Sequence, residues 1–144
     1  MHILMCNDDG ILADGLRHLA SYLSQYYRIT VVAPANEQSA KSHALTTEVP
    51  LKLDAYNGED ENPRLYALTG TPSDCMKFGL SYLLTDDMPD LVISGINHGF
   101  NLGSDVLYSG TVSAAMESCF YGIPGLALSV ERYSPERGDE MHPF

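Results

Sequence analysis

Short apolar segments alternate with amphipathic stretches along this chain, and that alternation narrows its possible folds more than any other feature. Residues 2–6 are apolar strand formers and stop at Asn7-Asp8-Asp9-Gly10, a turn signal. From Asp14, a residue able to cap a helix, Leu16, Leu19, Leu23 and Tyr26 recur with helical spacing. Ile29 to Ala33 reads as a second buried strand, stopped by Pro34. The next stretch, to about Thr46, is polar and loop-like and carries Ser39, Lys41, Ser42 and His43. Val49 to Tyr56 and Arg64 to Leu68 read as a hairpin closed by the acidic, turn-rich segment 57–62. Thr71-Pro72-Ser73-Asp74 has the signature of a helix start, and this helix is expected to reach about Leu84. The strand Leu91 to Ser94 leads into a glycine-rich loop from Gly95 to Gly110. A third helix is expected from about Thr111, with Val112, Ala115, Met116 and Cys119 on one face. Gly122 and Pro124 end it, and Gly125 to Val130 is a last strand. Strands alternating with helices predict an α/β protein, a three-layer αβα sandwich around a mainly parallel sheet with a β-hairpin insertion. Residues 1–130 read as one domain and 131–144 as a polar, poorly ordered tail.

Composition excludes several function classes. At 44% hydrophobic residues the chain is not of the disordered class. Apolar runs are too short to span a bilayer, and the first residues lack the pattern of a signal peptide. Cys6, Cys75 and Cys119 are odd in number and far apart, with no CxxC pair, which suits a reduced, cytoplasmic protein. Nineteen acidic residues against eight basic ones give a net charge of −11. That balance argues against a nucleic-acid polymer as partner. A phosphorylated ligand would need a local device, either a metal ion or backbone N–H groups, to overcome this field.

In a parallel sheet the ligand crevice lies beyond the C-terminal ends of the strands. Asp8 and Asp9 follow the first strand, Ser39 the second, and Asn97 the strand 91–94. Two carboxylates, a hydroxyl and an amide oxygen are hard donors that suit Mg²⁺, Mn²⁺ or Ca²⁺. The competing reading is a solvated turn. Ser109-Gly110-Thr111-Val112 opens a helix, where free N–H groups can receive an anion. Ser109 or Thr111 can equally cap the helix, and the two roles are compatible. The loop from Ser94 to Gly103, with three glycines and two asparagines, has the composition of a shaped binding loop, and its His98 is either a general acid or simply solvated. There is no GxGxxG, GxxxxGK[ST] or GxSxG pattern.

Together these blocks resemble the SurE family, the "survival protein" nucleotidases. The matching blocks are Asn7-Asp8-Asp9-Gly10, Ala33-Pro34 with Gln38-Ser39, Gly70-Thr71-Pro72-Ser73-Asp74-Cys75, Ser94-Gly95-Ile96-Asn97-His98-Gly99 with Asn101 and Gly103, and Ser109-Gly110-Thr111-Val112-Ser113-Ala114-Ala115 with Glu117. The resemblance runs from Met1 to about Val130. It implies a Rossmann-like sheet and a metal-dependent 5′-nucleotidase that hydrolyses nucleoside 5′- and 3′-monophosphates. Some members of the family also trim polyphosphate. It implies one divalent ion per chain, Mg²⁺ or Mn²⁺ with Ca²⁺ as a stand-in, held by Asp8, Asp9, Ser39 and Asn97. Asp8 or Asp9 would be the general base. Ser109, Gly110 and Thr111 would hold the phosphate, with Asn101 close by.

Two residues depart from the family pattern: Ala40 stands where a glycine is usual, and Ser118 replaces another. Family members are also longer and form homodimers or tetramers through a C-terminal arm that this sequence lacks. A truncated, catalytically silent metal- or nucleotide-binding fragment is therefore the alternative reading. A receiver-type signalling module fits less well, because the strand 91–94 ends in Ser94-Gly95 and not in a phosphoacceptor Asp.

Overall fold

The first strand, β1 (His2–Cys6), sends Ile3 and Met5 to one side and Leu4 and Cys6 to the other, and both sides are buried. A strand with two buried faces belongs in the middle of a covered sheet. The computed structural model, which describes residues 1–58 and 60–131, places it there. β2 (Arg28–Pro34) and β5 (Leu91–His98) flank β1, both parallel to it. β4 (Arg64–Leu68) continues beyond β2 and β6 (Gly125–Val130) beyond β5, again in parallel. β3 (Leu53–Ala55) runs antiparallel at one edge, giving the order β3-β4-β2-β1-β5-β6.

Helix α1 (Asp14–Leu23) packs Leu16 and Ala20 on the face that carries Ile3, Met5, Ile29 and Val31. Helices α2 (Pro72–Phe78) and α3 (Gly110–Cys119) cover the other face, where Cys75, Met76 and Ala114 meet Leu4 and Val32. The expected three-layer αβα sandwich with its hairpin is borne out. β1 to β4 build one side of the sheet, and β5 and β6 build the other. The order therefore reverses at β1, which is where such sheets open a ligand crevice.

Several local expectations are corrected. Asp14 does not cap α1. Ala13 occupies that position without a side-chain bond, and Asp14 sits in the first turn, where its charge suits the helix dipole. Tyr26 lies past the helix end and is exposed. The strand expected from Val49 shrinks to Leu53–Ala55, because Pro50 has no N–H for a ladder. Helix α2 widens at Gly79 into a π turn, Gly79–Leu83, where the glycine lets the backbone press on Leu4. β5 does not stop at Ser94. It continues to His98 with an irregularity between Ser94 and Asn97, so the glycine-rich loop begins inside the sheet. Gly95 permits this with φ at 124°, and a Cβ there would lie 2.3 Å from the Leu128 carbonyl oxygen. The rest of that loop holds a 3-10 turn, Gly103–Leu107.

The inward face of α3 is also not the expected one. Met116 and Cys119 are exposed, while Thr111, Ala114, Ala115 and Ser118 face inward. The reason is close approach: a Cβ on Gly125 would lie 2.3 Å from the Ala115 carbonyl oxygen. Small side chains let this helix sit directly on the sheet edge. The Ser118 hydroxyl donates to the Ala115 and Ile123 carbonyls and closes the turn. The tail expected at 131–144 lies, from residue 132, outside the described residues.

At the far end of the sheet His2 is buried. Its Nδ1 sits 3.1 Å from the Asp87 carbonyl oxygen, an acceptor, so Nδ1 is assigned the proton. Nε2 then accepts from the Thr30 hydroxyl at 2.9 Å, and that hydroxyl in turn accepts from Arg64. Burial, and next the nearby Arg28 guanidinium, hold the imidazole pKa below its usual 6.5. A histidine neutral in the fold and protonated when unfolded contributes its full stability above about pH 6.5, and that contribution shrinks as pH falls below it. Urea unfolding at pH 8 and pH 5.5 should show a smaller loss on acidification for His2→Gln than for the parent chain.

Candidate active site

Three strand ends converge at the crevice. The turn after β1 is closed by Asn7, whose side chain both donates to and accepts from the Gly10 backbone. Asp8 is buried beneath the start of α3, and its Oδ1 accepts the Thr111 hydroxyl at 2.5 Å. Asp9 is half-buried, with one carboxylate oxygen sealed from solvent. Ser109 caps α3 by accepting from the Val112 N–H. The Gly110 and Thr111 N–H groups have no intrahelical acceptor, as at every helix start. Gly110 lies so close to Asp8 that a Cβ would meet the Asp8 Cβ at 2.8 Å and Oδ2 at 3.0 Å. The positive end of the helix thus faces the Asp8 carboxylate directly.

Ser39 reaches this corner on the loop after β2. The Gln38 N–H donates to the Asp8 carbonyl at 2.7 Å, which draws the loop across the β1 turn. Ser39 is exposed, and its hydroxyl donates to Glu37. Ala40, where the family pattern has glycine, sits at φ 58°, in the left-handed region that a Cβ disfavours. Asn97 lies on β5 three residues beyond the last pair with β1, opposite Ser129 of β6. Its Nδ2 donates to the Gly99 carbonyl, so a cation held by this side chain would meet Oδ1. Asn101 donates to the Ser129 hydroxyl on β6, so it stands on the β5–β6 side. The structure joins Asp8, Ser109, Gly110 and Thr111 in direct contact and ties the Ser39 loop to them. Asn97 and Asn101 arrive on the neighbouring strand and its loop, without a bond to the cluster. His98 ends β5 opposite Val130 and is exposed.

The donor set fits a hard divalent cation. Among the described residues no group of three His, Cys, Asp or Glu stands together, so the cation would depend on neutral oxygens beside the paired carboxylates. An anion at the α3 start would lie against the Asp8 carboxylate, and a cation between them removes that repulsion.

Sequence spacing does not reveal what holds the loop. Asp74 completes the expected capping box with Thr71, and it also accepts the Thr46 N–H and hydroxyl. The Thr71 hydroxyl reaches the Ala44 carbonyl. Ser42 donates twice, to the Leu107 and Tyr108 carbonyls. His43 pairs with Glu117 on α3. These partners lie tens of residues apart, so local sequence gives no signal for them.

The family model described as Survival protein SurE matches residues 3–143. A 5′-nucleotidase SurE from Thermoanaerobacter sp. (strain X514) is 54% identical over 129 residues, covering 90% of this chain and 50% of that protein. One from Caldanaerobacter subterraneus subsp. tengcongensis is 49% identical over 99% of this chain and 55% of its own length. A crystal structure of the SurE protein from Aquifex aeolicus superposes with a TM-score of 0.79 at 43% identity, covering 90% of this chain and 50% of that one. The chain thus spans about half the length of the relatives it matches.

Two substitutions test the geometry. Gly110→Ala should abolish inorganic-phosphate binding measured by calorimetry and cost about 1–3 kcal/mol in urea unfolding, because Asp8 must move. Ala40→Gly should stabilise the chain by up to about 1 kcal/mol, since it relieves a left-handed alanine.

Proposed function

The chain belongs to the SurE family, and on that premise we propose that it carries the catalytic residues of a divalent-metal-dependent phosphomonoesterase. Its substrates would be nucleoside 5′- and 3′-monophosphates, cleaved to nucleoside and phosphate. Trimming of short polyphosphate would use the same chemistry on a terminal phosphoryl group. The observation that carries this reading is the contact between the α3 start and Asp8: a phosphate cradle and a carboxylate share one corner. The three cysteines are free thiols, which supports placing the reaction in the cytoplasm. Among the described residues no helix is long and apolar enough to cross a membrane.

Asp8 and Asp9 would hold the cation, with the Ser39 hydroxyl and the Asn97 oxygen completing the set. When bound, Mg²⁺ or Mn²⁺ supplies Lewis-acid stabilisation of phosphoryl charge. The chain's own part is positional and electrostatic. The Gly110 and Thr111 N–H groups, without intrahelical acceptors, would receive the phosphoryl oxygens, and the Ser109 side chain keeps that turn in shape. The Thr111 hydroxyl is engaged with Asp8, so Thr111 offers the phosphate its backbone N–H and fixes Asp8 with its side chain. Asp8, thus held, is positioned as a ligand. Asp9 is the group we assign to take the proton from the attacking water. Asn101, anchored to β6, would approach the phosphate from the other side.

The half-length relation to the relatives keeps a second reading in play, a fragment that binds metal and nucleotide without turnover. Phosphate release from AMP and GMP separates the two, measured with Mn²⁺, Mg²⁺ or EDTA. The enzyme reading expects metal-dependent release that is lost in Asp8→Asn and in Asp9→Asn, with the fold retained by circular dichroism. Unchanged turnover in both variants would sink the metal assignment. Metal binding without release would establish the fragment reading. Ser109→Ala, which loosens the α3 start and keeps the Thr111–Asp8 bond, should weaken phosphate binding roughly tenfold, about 1.4 kcal/mol, and weaken metal binding less.

A further inference from the structure

The segment between β2 and β3 carries Ser39, yet it has little regular structure to fix it. Two of its non-glycine residues, Ala40 and Ser42, sit at φ 58° and 53°. Side-chain-bearing residues stay in that region only when the surroundings impose it. One candidate for the imposing contact stands out in chemistry. His43 Nε2 lies 2.6 Å from Glu117 Oε2 on α3. The Glu117 side chain is 9% exposed and that of His43 31%. A carboxylate this deeply buried is costly unless it is hydrogen-bonded. Phe120, one turn on, stacks on the imidazole with ring centres 6.2 Å apart and fixes its plane. The pair lines a surface cavity of about 540 Å³ with Leu45, Lys77, Phe120 and Tyr121.

What the pair joins gives it meaning. Six residues before Glu117, about 9 Å along the same helix at 1.5 Å per residue, Thr111 holds Asp8 by its hydroxyl. One rigid helix therefore grips Asp8 at its start and the Ser39 loop at its third turn. The separation of the two proposed ligands is therefore held from α3 as well as by the Gln38 N–H bond to the Asp8 carbonyl.

We propose that His43 and Glu117 are positioning residues for the cation, a latch that holds Ser39 within reach of the Asp8–Asp9 corner. The proposal rests on the reading of that corner as a metal site. Neither residue touches the cation or the substrate, and both act through the loop. Losing the latch leaves the carboxylates, the α3 start and the loop's other bonds in place and loosens the loop on its α3 side, so cation affinity falls while the fold persists.

The test is Mn²⁺ binding to the whole chain by titration calorimetry, with thermal melts alongside. His43→Ala should bind Mn²⁺ about 10- to 100-fold more weakly, the range seen when a supporting contact of a metal site is removed. Ser39→Ala should show a similar loss. The double variant should be no worse than the weaker single variant, because both changes remove one contribution. His43→Gln keeps an N–H for Glu117 and should recover most of the affinity. If His43→Ala does not fold, Glu117→Ala takes its place in the cycle with Ser39→Ala. Unchanged affinity in the alanine variant of the pair, a loss that adds to that of Ser39→Ala, or an inert Ser39→Ala would each overturn the latch. Absence of Mn²⁺ binding in the parent chain would instead remove the metal site itself, and the latch with it.

Discussion

The start of α3 rests on the Asp8 side chain with no room for a Cβ between them, and the remainder of the site is arranged around that contact. Gly110 makes it possible. Thr111 locks it by donating to the carboxylate, and Ser109 satisfies the next amide so that the turn keeps its shape. The helix dipole favours the carboxylate there, and the same unfilled N–H groups favour a phosphate. A carboxylate and a phosphate in one place repel each other, and a divalent cation reconciles them. The site's chemistry is thus set by sterics first and charge second.

The acidic balance of the chain makes that local arrangement necessary. With a net charge of −11, the protein offers an approaching phosphate monoester no general attraction. Arginine clamps are absent from the described crevice. In the proposed site, backbone amides and a divalent cation would supply the positive character locally, at the reacting group. At the opposite end of the sheet, Arg28 and Arg64 surround Asp87 and help to hold the His2 imidazole neutral.

Much of the architecture was legible in the sequence. β1, β2, β4, β5 and β6 fall where apolar runs predicted them, and the Thr71–Asp74 capping box formed as its spacing required. The misreadings share a cause. Helix α3 was assigned its apolar face by periodicity, yet close packing on Gly125 demanded the small face. The glycine-rich stretch after Ser94 predicts a loop, whereas Gly95 carries β5 past the Leu128 carbonyl. In both cases interatomic distance overrode residue preference. Of the candidate site, the Asp8–Ser109–Gly110–Thr111 cluster was legible as two separate turn signals, and only packing made it one contact.

The sequence by itself determined the fold class, the sheet's covered faces and the kinds of donor at each strand end. These follow from short-range periodicity and from side-chain chemistry, both local properties. The tertiary structure alone decided how far Ser39 stands from Asp8, which face of α3 looks inward, and that His43 meets a carboxylate 74 residues away. Such relations depend on the spacing between elements. Spacing comes from the close approaches that Gly95, Gly110 and Gly125 permit, to backbone at Gly95 and Gly125 and to the Asp8 side chain at Gly110, and no local stretch of sequence encodes it.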